Sequence, residues 1–143
     1  MEEPRCLYDA PSLRVSLDEA NGWLYNQWLG VHDEASIKEA AAAIWACLHA
    51  YPCAKVLSDH SGLISNWQGV APWIGQAYLD RLATLGVRYF AWVYSQHYHD
   101  RTAMEQALYL STRPMVAIFD DVASAYEWLR NCPTHWPEAE MHK

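Results

Sequence analysis

The sequence predicts a single mixed α/β domain, with a mainly parallel sheet of about five strands and four helices in the order ββαβαβαβα. Three observations predict it. Short apolar or aromatic runs alternate with longer segments of helical periodicity, which is how strands joined by crossover helices read. A hairpin signal stands near the start, where Asn21 and Gly22 separate two strand-like stretches. The length of 143 residues suits one hydrophobic core, and no linker, internal repeat or low-complexity stretch divides it.

In SLRVSLDEANGWLYNQWLG, Leu13, Val15 and Leu17 alternate on one arm, and Trp23, Tyr25 and Gln27 on the other. Asn and Gly accept the positive φ angles of a tight turn, so the spacing predicts a hairpin. In DEASIKEAAAAIWACLHAY, Ile37, Ala41, Ile44, Trp45 and Leu48 fall at offsets of 4, 7, 8 and 11, one face of a helix. Asp33 or Ser36 caps its start and Pro52 stops it. AKVLSD then reads as a short buried strand. PWIGQAYLDRLATLG repeats the helical signal through Ile74, Tyr78, Leu82 and Leu85, with Pro72 near the first turn and Gly86 at the exit. VRYFAWVYS, aromatic and β-branched, reads as a strand. TAMEQALYLST opens a helix with Thr102 and Glu105 at capping-box spacing. PMVAIFD is a further strand, and DVASAYEWLRN a last helix carrying Val122, Ala125, Tyr126 and Leu129. The tail over 132–143 is polar with two prolines, and is expected to be flexible.

Composition limits the functions available. Hydrophobic residues make up 52% and charged residues 19%, the balance of a folded globular chain. A net charge of −7 repels nucleic acid and anionic membrane alike. The chain has no apolar run of the roughly 18 to 20 residues that a membrane span needs, and MEEPRC is not the start of a secretory signal. The expectation is a cytoplasmic protein without membrane insertion. Cys6, Cys47, Cys53 and Cys132 form no CxxC pair and are read as free thiols.

The segment LSDHSGLISNW, 57–67, is the most informative. It leaves the predicted strand at its carboxyl end, where ligand sites of open α/β sheets lie. Asp59, His60, Ser61, Gly62 and Leu63 therefore form the candidate binding or regulatory turn, against the plainer reading of a strand-to-helix connection. As neighbours in sequence, Asp59, His60 and Ser61 point in divergent directions and do not form a hydrolytic relay, and the chain has no GxSxG elbow. His97 and His99, two apart, would share one side of a strand as a metal site needs, but no third ligand is selected. A solvated loop is the simpler account. Asp120 and Asp121 precede the last helix, where one of them is a cap rather than an acid–base pair. Trp67 and Trp73 flank the polar stretch after the turn and are candidates for a partner or ligand surface.

The element order, together with VLSDHSGL after the third strand, resembles the STAS domain, the fold of bacterial anti-sigma factor antagonists, and within it the SpoIIAA-like branch. The resemblance spans 7–131 and implies one STAS/SpoIIAA-like domain. In the antagonists the corresponding turn reads Asp, Ser, Ser, Gly, Leu, and the first serine is phosphorylated by a partner kinase. Here Asp59, His60, Ser61, Gly62 and Leu63 occupy those places, so the phosphoacceptor position holds His60 and only the neighbouring Ser61 has a hydroxyl. The resemblance implies a non-enzymatic, regulatory interaction or ligand-binding module, without catalytic residues, metal or cofactor, whose partner is a protein or a small apolar or anionic ligand. The alternatives are a small enzyme using His60 with Asp59, or a His97/His99 metal site, and a structural homodimer joined through its aromatic surface.

Overall fold

The computed structural model describes residues 4–64, 68–94 and 98–133. Its centre is a six-stranded sheet in sequential order: β1 (Arg5–Ala10), β2 (Leu13–Asp18), β3 (Trp23–Val31), β4 (Lys55–Ile64), β5 (Tyr89–Val93) and β6 (Met115–Phe119). The first three strands are antiparallel, and β3 through β6 run parallel. The domain is thus the predicted mixed, mainly parallel one, with an additional strand at its amino-terminal edge. That edge strand, RCLYDA, is exposed or half-buried along its whole length. It carries no apolar alternation, so periodicity did not mark it.

Helix α1 (Glu34–Ala50) crosses from β3 to β4 and starts as expected. Asp33 accepts from the backbone N–H of Ser36, and Ser36 returns a bond to the backbone of Asp33. A helical run then joins β4 to β5: a 3₁₀ turn (Gln68–Val70), α2 (Ala71–Trp73), a π-helical turn (Ile74–Tyr78) and α3 (Leu79–Thr84). Helix α4 (Tyr98–Leu110) joins β5 to β6 and begins ahead of Thr102, so the expected capping box at Thr102 and Glu105 falls inside the helix. Helix α5 (Val122–Asn131) follows β6, capped by Asp121 through the N–H of Ser124.

The helices divide between the two faces of the sheet. On one, α1 through α4 bury Ile37, Ile44, Ile74, Leu82 and Met104 against Leu13, Val15, Leu24, Trp28, Val56 and Phe90. On the other, α5 presses Ala125 and Leu129 onto Trp23, Leu57, Tyr89, Ala91 and Val93. Central strands covered on both sides need apolar residues at consecutive positions, which is why all five residues of β5 are buried. The same arrangement reshapes the hairpin. Leu13, Val15 and Leu17 pair across the sheet with Trp28, Asn26 and Leu24, whereas Trp23 and Tyr25 belong to the α5 face. Gly22 adopts φ 73° at the end of a loop over 19–22, longer than the two-residue turn expected.

The α5 face holds a buried cation. Lys55, 3% exposed at the start of β4, donates to the carbonyl of Leu129 near the carboxyl end of α5 and lies 5.8 Å from the centre of the Trp23 ring. The helix dipole favours positive charge there, while burial pulls the lysine pKa below its usual value. All four cysteines are free, as expected from their spacing.

Candidate functional site

The candidate segment is not a turn. Strand β4 continues to Ile64, and the sequence DHSGL lies within it. Asp59 and His60 are 9% and 4% exposed and Leu63 is 2% exposed, so the expectation of a pentapeptide offered at an open rim is corrected: only Ser61 and Gly62 face solvent. Polar residues suggested a turn in the sequence, but here they are strand residues whose hydrogen bonds are made across the sheet.

Alternation sends the polar side chains to opposite faces. Towards the helices, Ser58 Oγ accepts from the indole N–H of Trp28 at 3.2 Å and lies 2.8 Å from His60 Nε2. The His60 ring is stacked on Trp92, 4.5 Å between centres and 18° between planes, and on Trp28 at 5.4 Å and 15°. Burial pushes the His60 imidazole down to about 3, and the charge of His32 acts in the same direction. His60 is therefore neutral at physiological pH. Towards the α5 side, Asp59 Oδ1 accepts from the backbone N–H of Ser61 at 3.0 Å and from its hydroxyl at 2.7 Å. Its other oxygen accepts from the Tyr25 hydroxyl at 3.3 Å, and burial together with the Asp59 charge raises Tyr25 to about 12.

Between these two sets lies a β-bulge. Gln27 pairs with Asp59 and Leu29 with Gly62, so His60 and Ser61 together face Trp28. Pairing of β4 with β5 ends at Asp59 and Val93, and from there the ends of β3 and β4 project as a two-stranded ribbon. Leu29, Val31 and Ile64 are 38%, 77% and 47% exposed on it, and Leu29 and Val31 pair with Gly62 and Ile64. His32 fastens the base of the ribbon, with Nε2 2.9 Å from the Ser12 carbonyl and Nδ1 3.0 Å from the Ser36 hydroxyl.

The other candidates are scattered. Trp73 is half-buried, 5.9 Å from the Trp45 ring and beneath the ammonium of Lys38 at 5.4 Å. Trp67 and His97 lie outside the described residues, and His99 lies in the first turn of α4, on a helix rather than a strand. Among the described residues no three of His, Cys, Asp and Glu are grouped to hold a metal ion, and no helix is long and apolar enough to cross a membrane. Asp120 is exposed, 4.0 Å from Arg101, and takes no part in the Asp121 cap.

Sequence reasoning missed Tyr25, Asn26 and Trp28, which face or neighbour the segment from β3. The signal was present in WLYNQW, where polar and aromatic residues alternate on both faces, a pattern that one-sided alternation does not resolve.

No family model matches the sequence, and no curated protein matches it either. Solved structures do match. The anti-sigma factor antagonist SpoIIAA in its unphosphorylated form superimposes with a TM-score of 0.56 at 8% identity, over 92% of this chain and 99% of that one. An uncharacterised DUF3478 protein with a SpoIIAA-like fold from Shewanella loihica gives 0.53 at 12% identity, over 90% and 97%. The chain has the SpoIIAA-like fold.

Proposed function

We propose that the protein is a non-enzymatic regulatory module that engages a protein partner through the projecting ends of β3 and β4. The observation that carries this reading is the apolar strip of Leu29, Val31 and Ile64, exposed beside Ser61 and Gly62. Apolar side chains clustered on a ribbon that projects past its neighbouring strand favour a protein contact. The SpoIIAA likeness supports it, since that protein is an anti-sigma factor antagonist. Against enzymatic use, His60 is buried and neutral between two indoles, out of reach of a substrate proton, and Asp59 is already engaged by Ser61 and Tyr25. In this reading the protein works in a bacterial cytoplasm, and Ser61 is the hydroxyl available for phosphoregulation. A phosphate there would bring about −1.5 to −2 charges beside the Asp59 carboxylate and release its bond to the Ser61 hydroxyl.

The test is affinity purification of the tagged protein from its host, with Val31→Glu and Ile64→Glu beside a control, Met115→Glu, on the exposed start of β6. A partner held by the wild type and the control but lost from both ribbon variants supports the proposal. A partner retained by all three variants places the interface elsewhere. Light scattering separates the remaining case, a second copy of the chain on the strip.

A further inference from the structure

Among the described residues no strand pairs with the outer edge of β1 or of β6, and the two edges differ in kind. The β1 edge carries Arg5 and Asp9, and a bulge between Cys6 and Tyr8 breaks its register with β2. Charge and irregularity of that sort keep an edge from joining another sheet. The β6 edge has neither. Met115–Phe119 reads MVAIF, apolar throughout, exposed or half-buried at every position and in unbroken register with β5. We infer that this edge is a self-association surface, on which β6 of a second copy of the chain pairs antiparallel about Ala117 and continues the sheet from one copy into the other.

The backbone supports that pairing. The N–H of Met115 donates to the Arg88 carbonyl, and the carbonyl of Phe119 accepts from the N–H of Tyr94, so both residues turn their polar groups towards β5. Alternation along a parallel strand then puts the N–H and C=O of Val116 and Ile118 on the outer edge. A two-fold axis at Ala117 sets Val116 opposite Ile118 of the other copy, and each such pair closes with reciprocal N–H···O bonds. The residues at the axis itself approach most closely, about 4.5 Å between Cα atoms, and alanine is the smallest side chain in the strand.

Charge selects the second copy and the direction. Arg113 precedes the strand, and Asp120 and Asp121 follow it. Antiparallel pairing about Ala117 therefore sets the basic end of each strand against the acidic end of the other, whereas parallel pairing in register would bring like charges together. Moving the axis to Val116 or Ile118 takes Arg113 out of line with Asp121. Asp80 and Thr84 hold Arg113 at the surface through Nε and Nη2, and the Asp120 carboxylate is 83% exposed, 4.0 Å from Arg101, so both ends are open to a partner.

Sedimentation velocity of the full chain over a concentration series should show a monomer–dimer equilibrium. Pairing along so short a strand is small beside the roughly 1,600 Å² of a standard interface, so a micromolar dissociation constant is expected. Amide exchange reads the register: the N–H groups of Val116 and Ile118 should gain protection as the dimer forms, and that of Ala117, turned towards β5, should not. Val116→Pro removes an outward N–H, which an edge strand tolerates, and should leave a monomer. Asp120→Arg should weaken the dimer about tenfold by making both contacting ends basic, and Arg113→Asp in the same chain should restore it. A chain that stays monomeric, protection confined to Ala117, or a dimer indifferent to Asp120→Arg overturns the inference; the charge variants lie outside the strand and keep the test decisive should Val116→Pro not fold. Val31→Glu and Ile64→Glu should remain dimeric, and a dimer lost in them but kept in the β6 variants would overturn the inference in favour of a second copy on the ribbon. Met115→Glu should weaken the dimer while holding the ribbon's partner, so each proposal can fail without the other.

Discussion

His60 makes the stability of the protein sensitive to mild acid, and the size of the effect follows from its surroundings. An imidazole in the unfolded chain titrates near 6.5 and in the fold at about 3. Above pH 6.5 both states hold it neutral, and it contributes no pH dependence. As pH falls below 6.5 the unfolded chain takes up a proton that the folded one refuses, so stability declines by about 1.4 kcal/mol per pH unit until the folded pKa is reached. Integrated from pH 7 to pH 5 the loss is about 2 kcal/mol, and over the full window to pH 3 about 5 kcal/mol. The comparison is with His60→Phe, which keeps a ring between Trp28 and Trp92 but cannot titrate. Urea unfolding of both proteins at pH 7, 6 and 5 cancels the contributions of the other histidines, His32 included. The wild type should be the more stable at pH 7, because Ser58 keeps its bond to His60, and its advantage should shrink by about 2 kcal/mol at pH 5. Parallel curves, or an advantage that grows in acid, would show that the folded state accepts the proton and would refute the placement of His60 in a dry, neutral stack.

Two other changes test the packing. Gly75 sits where the π-helical turn meets α4, and a methyl group there would run into the carbonyl oxygen of Ala107. Alanine is worth about 1 kcal/mol over glycine in an open helix, but overpacking against backbone costs up to about 3 kcal/mol, so Gly75→Ala should lower the melting temperature; an increase would show that α4 does not lie that close. Asn26 is completely buried on β3 with neither amide atom hydrogen-bonded. Asn26→Leu, similar in shape and without polar atoms, should therefore raise the free energy of unfolding by about 1–3 kcal/mol, and a loss in chemical denaturation would reveal an amide partner such as a buried water.

Local signals were legible where one side chain settles one backbone feature. A cap at Asp33 or Ser36, a cap at Asp120 or Asp121, a stop at Pro52 and a hairpin reversal at Asn21 and Gly22 were readable, because each acts on its immediate neighbours, though the loop over 19–22 is longer than the tight turn expected. The alternation of strands and helices carried the fold class. The edge strand β1 was not readable, since exposure on both faces removes the periodicity that marks a strand. The local structure of the candidate segment was misjudged. Asp59, His60, Ser61, Gly62 and Leu63 look like a polar turn in sequence, and partners on β3 and β5, among them Tyr25 and Trp92, hold the segment as a strand. Those partners are 30 or more positions away, beyond any local pattern, and the double cover of β3 hid them further.

The bulge in β4 sets one residue apart from the regular pairing of the sheet. With Trp28 facing two residues, Ser61 is the supernumerary one: on either side of it the register with β3 is regular, and Gly62, Leu63 and Ile64 point where an uninterrupted pairing would send them. A chain shortened by that serine alone would keep every core side chain on its present face. The strand pairing on both sides would survive such a loss, but the buried Asp59 carboxylate, which accepts from the N–H and hydroxyl of Ser61, would be left short of partners, so the serine is tied to its neighbour's charge and not to the sheet.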